Sequence, residues 1–516
     1  MRKTSASYRP FPVVRDVDLR ISFSVMDTNA KKDETVLTYS EAGVFSNPGD
    51  TINDVNAPDA GYIALEEDLW RLDGSFSSLP DDASMVETGF WSSSVSDEAG
   101  DFVSPVVFRY TFSAPISTLG WTMHFDPYAK QWASSVRITA YGADGAVLDT
   151  GVYENDSPVM ALQHYVGDYY AVEFAFLSTN EPLRRLRLCE VDFGLTKDYN
   201  RGSLGSARLV YDADLLSRSL PMRELVFTFD NADKQYNLLN PDGVYQYLQD
   251  GQEITAKIVI GGEPVDMGKF YFTKADVSKS GIAPEITAHD AVYRLDGTTF
   301  SGGTGAEMTL RTAIQTVLGG FDVPLLFDDG VGSTLVTLST PADTTLRECV
   351  RMLAQAAMCT VYTDRDGVMR FTKLTVKAAE DGTITADELY DYSGVSIADR
   401  VDGVVLNVSS EYILDAEGKA IRNTYTAGRT GAGMMTVSFT NPCVAASNGA
   451  AAAAWLLAGV KMRKNYEVKN RCDPAAEIGD TLRIDDIFYN RETAVVTGIE
   501  IDYDGTLSAV TKGVGA

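Results

Sequence analysis

The sequence predicts a mainly β, multidomain protein. Three observations carry the prediction. Apolar residues alternate with polar ones in short runs from one end of the chain to the other. Turn chemistry such as Ala143-Asp144-Gly145 separates those runs. Helical periodicity is confined to three stretches, Thr309–Leu318, Thr345–Ala357 and about Ala445–Met462. At 516 residues, 45% hydrophobic and 22% charged, the chain has the composition of a globular protein and enough length for about three or four domains.

The elements follow in order. Val17, Leu19, Ile21, Phe23 and Val25 alternate as one strand. Residues 51–194 hold Trp70, Trp91, Trp121 and Trp132, four of the five tryptophans. Strands are expected at Val103–Phe112, Leu119–Phe125, Ser135–Tyr141, Ala171–Leu177 and Leu183–Phe193, the spacing of an antiparallel β-sandwich. β character continues to Asp296 through Glu224–Asn231, then Ile254 to Ile260, Phe270 and Phe272, and Ile286 and Ala288. Beyond Gly302 the period changes. Thr345 and Glu348 have the spacing of a capping box. Leu346, Val350, Leu353 and Ala357 form one apolar stripe. Asp366-Gly367 turns a hairpin after it. After Asp391 strands resume, interrupted by the Ala-rich helix, and Asp504-Gly505 makes a last hairpin turn.

A net charge of −28 and a pI near 4.5 argue against tight nucleic-acid binding and against docking on anionic lipid. They leave room for nucleic acid to pass without sticking. The apolar run Ala450–Val460 is too short to span a bilayer. MRKTSASYRP lacks the apolar core of a signal peptide, so synthesis in a cytoplasm is expected, without membrane insertion. The cysteines, Cys189, Cys349, Cys359, Cys443 and Cys472, are odd in number with no CxxC spacing. Buried free thiols are expected, not a disulfide framework or zinc site.

The chemistry-bearing patterns are weak. There are three histidines and no HExxH or GxSxG. His289-Asp290 reads better as a strand end with local hydrogen bonds than as half a triad. Glu66-Glu67 and Asp81-Asp82 read as solvated surface, since 72 acidic residues make close pairs inevitable. SGGTGAEMTLR lacks the lysine of a P-loop and reads as a domain linker. Asp364, Asp366 and Gly367 recur in calcium loops, but the remaining ligands are missing and the hairpin turn is the better reading. No catalytic residue, cofactor or metal is expected. In the Trp-rich region Trp91, Trp121, Trp132 and Tyr128 are candidates for stacking on sugar rings or for a protein contact, and filling the sandwich core is the favoured role for the tryptophans. By elimination the chain reads as an assembly or binding protein and not as an enzyme.

SRSLPMRELVFTFDNADKQYNLLNPDGVYQYLQDGQEITAKIVIGG, followed by MGKFYFTKADVSKSGIAPEITAHDAVYRLDG, resembles the tail hub (baseplate hub) proteins of bacteriophages and phage-like particles. The shared order is Asp230-Asn231, Tyr236-Asn237, Asn240-Pro241, Leu248 to Gln252, Gly268 to Phe272 and His289-Asp290. TLRECVRMLAQAAMCTVYTDRDGVMRF is similar to the family's helix-plus-hairpin module. RCDPAAEIGDTLRI and TGIEIDYDGTLSAVTKG are similar to its closing strands. GFWSSSVSDEAGDF and YTFSAPISTLGWTMHFD are similar to galactose-binding-like sandwiches inserted near the start of some hubs.

The resemblance implies four parts. Residues 1–50 with 195–300 would form a first hub β-barrel, 51–194 an inserted galactose-binding-like sandwich, 301–390 a small α/β module, and 391–516 a second β-barrel. It implies a homotrimeric ring at the virion tail tip, matched by two barrels per chain to a hexameric tail tube. The partners implied are the distal tail or tail-tube protein, the tape-measure protein and receptor-binding or fibre proteins, with DNA passing through the lumen. Asp230, Asn231, Tyr236, Asn237 and Asn240 would shape a loop at the ring interface. No peptidase or muramidase domain is expected in this chain, so wall digestion would belong to another protein. The alternatives are a carbohydrate-binding surface protein that meets host cell-wall glycan, and a cell-wall polysaccharide hydrolase.

Overall fold

The computed structural model describes residues 1–516 except 3, 5–7, 12–14, 28, 31–33, 54, 59, 72, 80–86, 233, 235, 237–239, 241–243, 278–282, 322, 392–393, 486–490 and 516. The chain folds into two units. One comprises Met1–Ile21, Tyr199–Asn237 and Ile254–Ala516, the other Ser22–Asp198 and Leu238–Glu253. The fold is mainly β in both, as the alternation predicts.

In the first unit one long sheet runs in the order Gly394–Ile397, Lys464–Asn470, Leu507–Gly515, Arg491–Tyr503, Leu204–Asp212, Glu224–Phe229, Pro284–His289, Glu263–Val277 and Glu253–Ile260. Its strands bury alternate residues: Leu225, Phe227 and Phe229 face inward while Val226 and Thr228 are half-buried. The two expected barrels are corrected here. Among the described residues neither closes. Leu204–Asp212, from the first expected barrel, pairs antiparallel with Arg491–Tyr503, from the second, with Ala207 opposite Tyr503 and Asp212 opposite Gly498. The edge that a barrel would use to close on itself is taken by the other half of the chain. Glu500 clamps this seam. Arg208 Nη2 lies 2.6 Å from its carboxylate, and Lys512, on the next strand, donates to its other oxygen. The hydrogen bond from Lys512, with the charges of Lys512 and Arg208, holds the Glu500 carboxyl below its ordinary value of 4.5.

The three α-helices among the described residues lie in this unit. α1, Leu310–Leu318, is capped by Thr309, whose hydroxyl accepts from the Thr312 amide. α2, Leu346–Ala356, is capped by Thr345, which accepts from the Glu348 amide. Only half of the expected capping box forms, because the Glu348 carboxylate turns to Arg351 instead. The stripe Leu346, Val350, Leu353 and Ala357 is buried as predicted. α3, Gly449–Val460, is shorter than expected. SGGTGAEMTLR is not a free linker. The Thr304 and Gly305 amides donate to Leu338 O, and Glu307–Thr309 pairs with Leu335–Thr337. A small sheet of Gly403–Leu414, Ala420–Gly428 and Thr436–Thr440, with the first strand in the middle, packs against α3.

The hairpin Thr360–Thr363 and Met369–Thr372 turns on Asp364, whose Oδ1 accepts from the amides of Asp366 and Val368, both at 3.0 Å. Between the two aspartates Arg365 points inward and is buried. Its guanidinium donates to Pro474 O and, at 2.8 Å, to Ala476 O, and it stacks 4.8 Å from the Tyr211 ring centroid. Tyr211 in turn donates to Met267 O at 2.7 Å. Gly268, at φ +110°, lets this happen: a Cβ there would come within 2.8 Å of Arg365 O and 2.6 Å of Arg223 Nη1. One arginine thus ties the hairpin, the 473–476 segment and two sheet strands together.

Among the described residues the second unit holds one connected seven-stranded sheet. Phe90–Val95, Arg185–Asp192, Asp101–Phe125, Val159–Thr179, Ala133–Tyr141 and Val147–Glu154 follow in order, and Val36–Tyr39 adds to Asp101–Phe125. The two long strands run through positions where the sequence suggested breaks. Register shifts between Thr111 and Ile116, and again up to Gly120, absorb Pro115 and bend the strand. At Gly120 a Cβ would lie 1.8 Å from Leu162 O. The core is aromatic: Phe90, Phe108, Tyr110, Phe112, Trp121, Phe125, Tyr169, Phe174, Phe176 and Phe193 are all buried. The two ends of the main segment of this unit meet, Ser22 Oγ donating to the Asp198 carboxylate.

Arg365→Leu should lower stability by about 3 kcal/mol, because buried carbonyls lose a charged donor; chemical denaturation measures it, and far-UV circular dichroism should stay unchanged. The Glu500 clamp contributes stability that is full above pH 4.5 and is lost as pH falls through the lower folded value. Glu500→Gln should therefore shrink the loss of stability on acidification, read as the change in thermal midpoint from neutral pH to about pH 3.5 relative to native.

Candidate functional surfaces

Two regions were singled out by sequence, and the structure treats them differently. The first is the loop after Glu224–Phe229. Its strand ends as Asp230 N donates to Ser203 O at 2.9 Å. Asp230 is exposed and caps the turn, accepting from the Ala232 amide at 3.1 Å. Asn231 is buried, and its side-chain oxygen accepts from the Tyr236 amide at 3.0 Å. Lys234 takes the left-handed conformation, φ +57°, and its amide returns to Asn231 O. Tyr236 is buried edge-on against Phe229, ring centroids 4.8 Å apart, and shares a 2.8 Å hydrogen bond with the Tyr199 hydroxyl. Asn240 is half-buried. Asn237 lies outside the described residues. Asn231 and Tyr236 therefore set the loop's shape from beneath, and Asp230, Ala232 and Lys234 form its exposed side.

The second region is the aromatic set of the other unit. Trp121 is fully buried. Its indole N–H donates to the Tyr169 hydroxyl at 3.2 Å, and its ring lies against Phe174 and His164. Trp91 is also buried, donating from Nε1 to Thr88 O at 3.0 Å. The Arg187 guanidinium sits 3.7 Å over its ring. Neither indole offers a face to a sugar. Trp132 is half-buried against the same core, its amide donating to Asn180 Oδ1. Tyr128 is 47% exposed, on a turn held by Asp126, whose carboxylate accepts from the Tyr128 and Ala129 amides. Trp70 is 60% exposed.

No spacing or motif in the sequence points to the network around Arg187. Glu66 Oε1 lies 3.0 Å and Asp126 Oδ2 3.2 Å from the buried Arg187 guanidinium, and Gln131 donates to Glu66. The reading of Glu66 as solvated surface is thus corrected: it pins the 60–70 segment to the sheet, where a buried arginine needs its charge. Asp81-Asp82 lies outside the described residues. His289 bonds locally, Nδ1 to Thr273 Oγ1 at 3.0 Å, while Asp290 pairs with the buried Arg223 at 3.1 Å. All five cysteines are free and buried. Burial pushes the Cys349 thiol up to about 11 and those of Cys443 and Cys472 up to about 12, which keeps them unreactive. Among the described residues no cluster of three or more metal-ligating side chains forms, and no helix is long and apolar enough to cross a membrane.

No protein-family model and no curated protein sequence matches the chain. Solved structures do. One is the 43 kDa tail protein of prophage MuSo2 from Shewanella oneidensis, 14% identical, TM-score 0.43, covering 62% of this chain and 94% of that one. A second is the tail protein from Neisseria meningitidis MC58, 11% identical, TM-score 0.44, covering 61% and 93%. A third is the prophage tail protein gp18 from Listeria monocytogenes EGD-e, 9% identical, TM-score 0.40, covering 61% and 91%. All three are tail proteins.

Trp91→Ala should cost about 3–5 kcal/mol in chemical denaturation, whereas Tyr128→Ala should stay within about 0.5 kcal/mol of native. That contrast separates core aromatics from the one aromatic in the predicted contact set that is free to meet a partner.

Proposed function

We propose that this chain is a structural component of a phage-type tail, a hub that forms a closed ring, a homotrimer, at the tail tip. The observation that carries the reading is the seam between residues 207–212 and 498–503. It fuses the two regions that resemble hub modules into one sheet, with the helix-plus-hairpin module anchored beside it by Arg365. Such an arrangement gives a broad, stiff wall and leaves loops and strand edges as its contact features, which is what a ring subunit needs. The ring adapts the tail tube to receptor-binding or fibre proteins. The excess of acidic residues supports a lumen past which tape-measure protein and DNA slide without adhering. The loop shaped by Asn231 and Tyr236 presents Asp230 and its neighbours as one contact surface. On this reading the chain serves host attachment and genome ejection. The reading assigns it no catalysis.

A second reading rests on Tyr128 and Trp70, whose exposed rings suit a sugar or a protein partner. It makes the second unit a carbohydrate-binding module for cell-wall glycan.

Light scattering with negative-stain microscopy of the purified chain should give three times the chain mass and a ring with a central hole. A monomer that binds host-wall preparations, and loses that binding with Tyr128→Ala, would replace the hub with the carbohydrate-binding reading.

A further inference from the structure

The small sheet against α3 has two open edges. Gly403–Leu414 is its central strand. Ala420–Gly428 runs antiparallel to it on one side, with Val404 opposite Ala427 and Leu406 opposite Tyr425. Thr436–Thr440 runs parallel to it on the other, with Val404 opposite Val437 and Leu406 opposite Phe439. The two outer strands are therefore of opposite polarity. Among the described residues neither pairs with a further strand.

The faces of the sheet are sorted. Val404, Leu406, Tyr425, Ala427 and Phe439 lie on the core side. Thr424, Thr426, Thr436, Ser438 and Thr440 are exposed on the other. Proteins keep open edges from pairing with lysine, proline, bulges or very short strands. Thr436–Thr440 carries no charge and no proline, and Ala420–Gly428 carries Arg422 as its sole charged residue. From Arg422 to Gly428 its pairing register is unbroken. Met435 and Ile421, at the strand ends, are 58% and 37% exposed.

We propose that this sheet joins copies of the chain head to tail, the Ala420–Gly428 edge of one copy pairing antiparallel with the Thr436–Thr440 edge of the next. The inference rests on the ring reading above and names its contact. The partner is a second copy because the two edges fit each other. Rotation about an axis along the strands preserves polarity, so each new interface extends the ladder in antiparallel order. The same rotation keeps the core-side faces on one side. A partner of another kind would satisfy one edge and leave the other bare, whereas a closed set of identical copies leaves none. The contact is heterologous: two different edges meet, not one edge with itself.

The test uses cysteines at the strand centres, Thr424→Cys and Ser438→Cys, in the full-length chain. Both sites are exposed and the native cysteines are buried, so the new thiols are the ones that diamide oxidises. The double variant should give covalent oligomers ending at the mass that light scattering reports for the native ring. Each single variant alone should give none, and an equal mixture of the two should give dimers only. Thr426→Cys with Ser438→Cys reads the register one pleat further along. Circular dichroism matching native confirms that each variant folds.

If the native chain is a ring but neither pair cross-links, this contact is wrong and the ring reading stands. If a single variant cross-links to itself, the contact is isologous and the proposal falls. If the native chain stays monomeric at its highest soluble concentration and no pair links, both fall together.

Discussion

The ladder between residues 207–212 and 498–503 is the constraint on which the first unit depends. Its partners are separated by almost 300 residues, so it forms only after a long loop has closed, at an entropic cost that grows slowly with length. Once made, it leaves Leu204–Asp212 flanked on both sides, by Arg491–Tyr503 and by Glu224–Phe229. Neither half can then close into a barrel of its own. The Glu500 clamp and the Arg365 anchor act at the same place. Two stretches of chain far apart in sequence thereby share a single sheet.

Buried arginines repeat this logic elsewhere. Arg223 with Asp290, Arg365 with two carbonyls, and Arg187 with Glu66 and Asp126 each satisfy a buried charge by drawing in a segment remote in sequence. Each also lies over an aromatic ring, that of Phe270, Tyr211 or Trp91. A planar guanidinium can stack and donate in several directions at once, which a lysine cannot. These cross-ties fix loops that the hydrophobic cores alone would leave loose.

The local features were legible. Thr345 at the head of α2, the buried stripe below it, and the turn around Asp364 and Gly367 are encoded in spacings of three or four residues, and they appear where expected. The alternation in Glu224–Phe229 gave the buried face correctly. What alternation cannot give is the neighbour; the two barrels were implied by the hub resemblance, and among the described residues an open sheet forms instead. The stretch around Pro115 reads as a break between two expected strands because turn residues and bulge residues are the same residues. Trp91 and Trp121 show the matching limit for the site. Composition places an indole in a region, but only the position of Arg187 and Tyr169 tells that both rings face inward. Glu66 looked like one acid among many until its arginine was located 121 residues away.

The meeting of Ser22 and Asp198 has an evolutionary reading. A unit whose entry and exit points touch can be lifted out and a different one set in its place, with a short linker to bridge the gap. The segment 238–253, which packs on the same unit through Gln252 and Tyr247, is a second seam along which a replacement has to match. The Ser22–Asp198 stretch thus leaves and rejoins the rest of the chain at one place, so changes in its interior ask little of the residues that flank it.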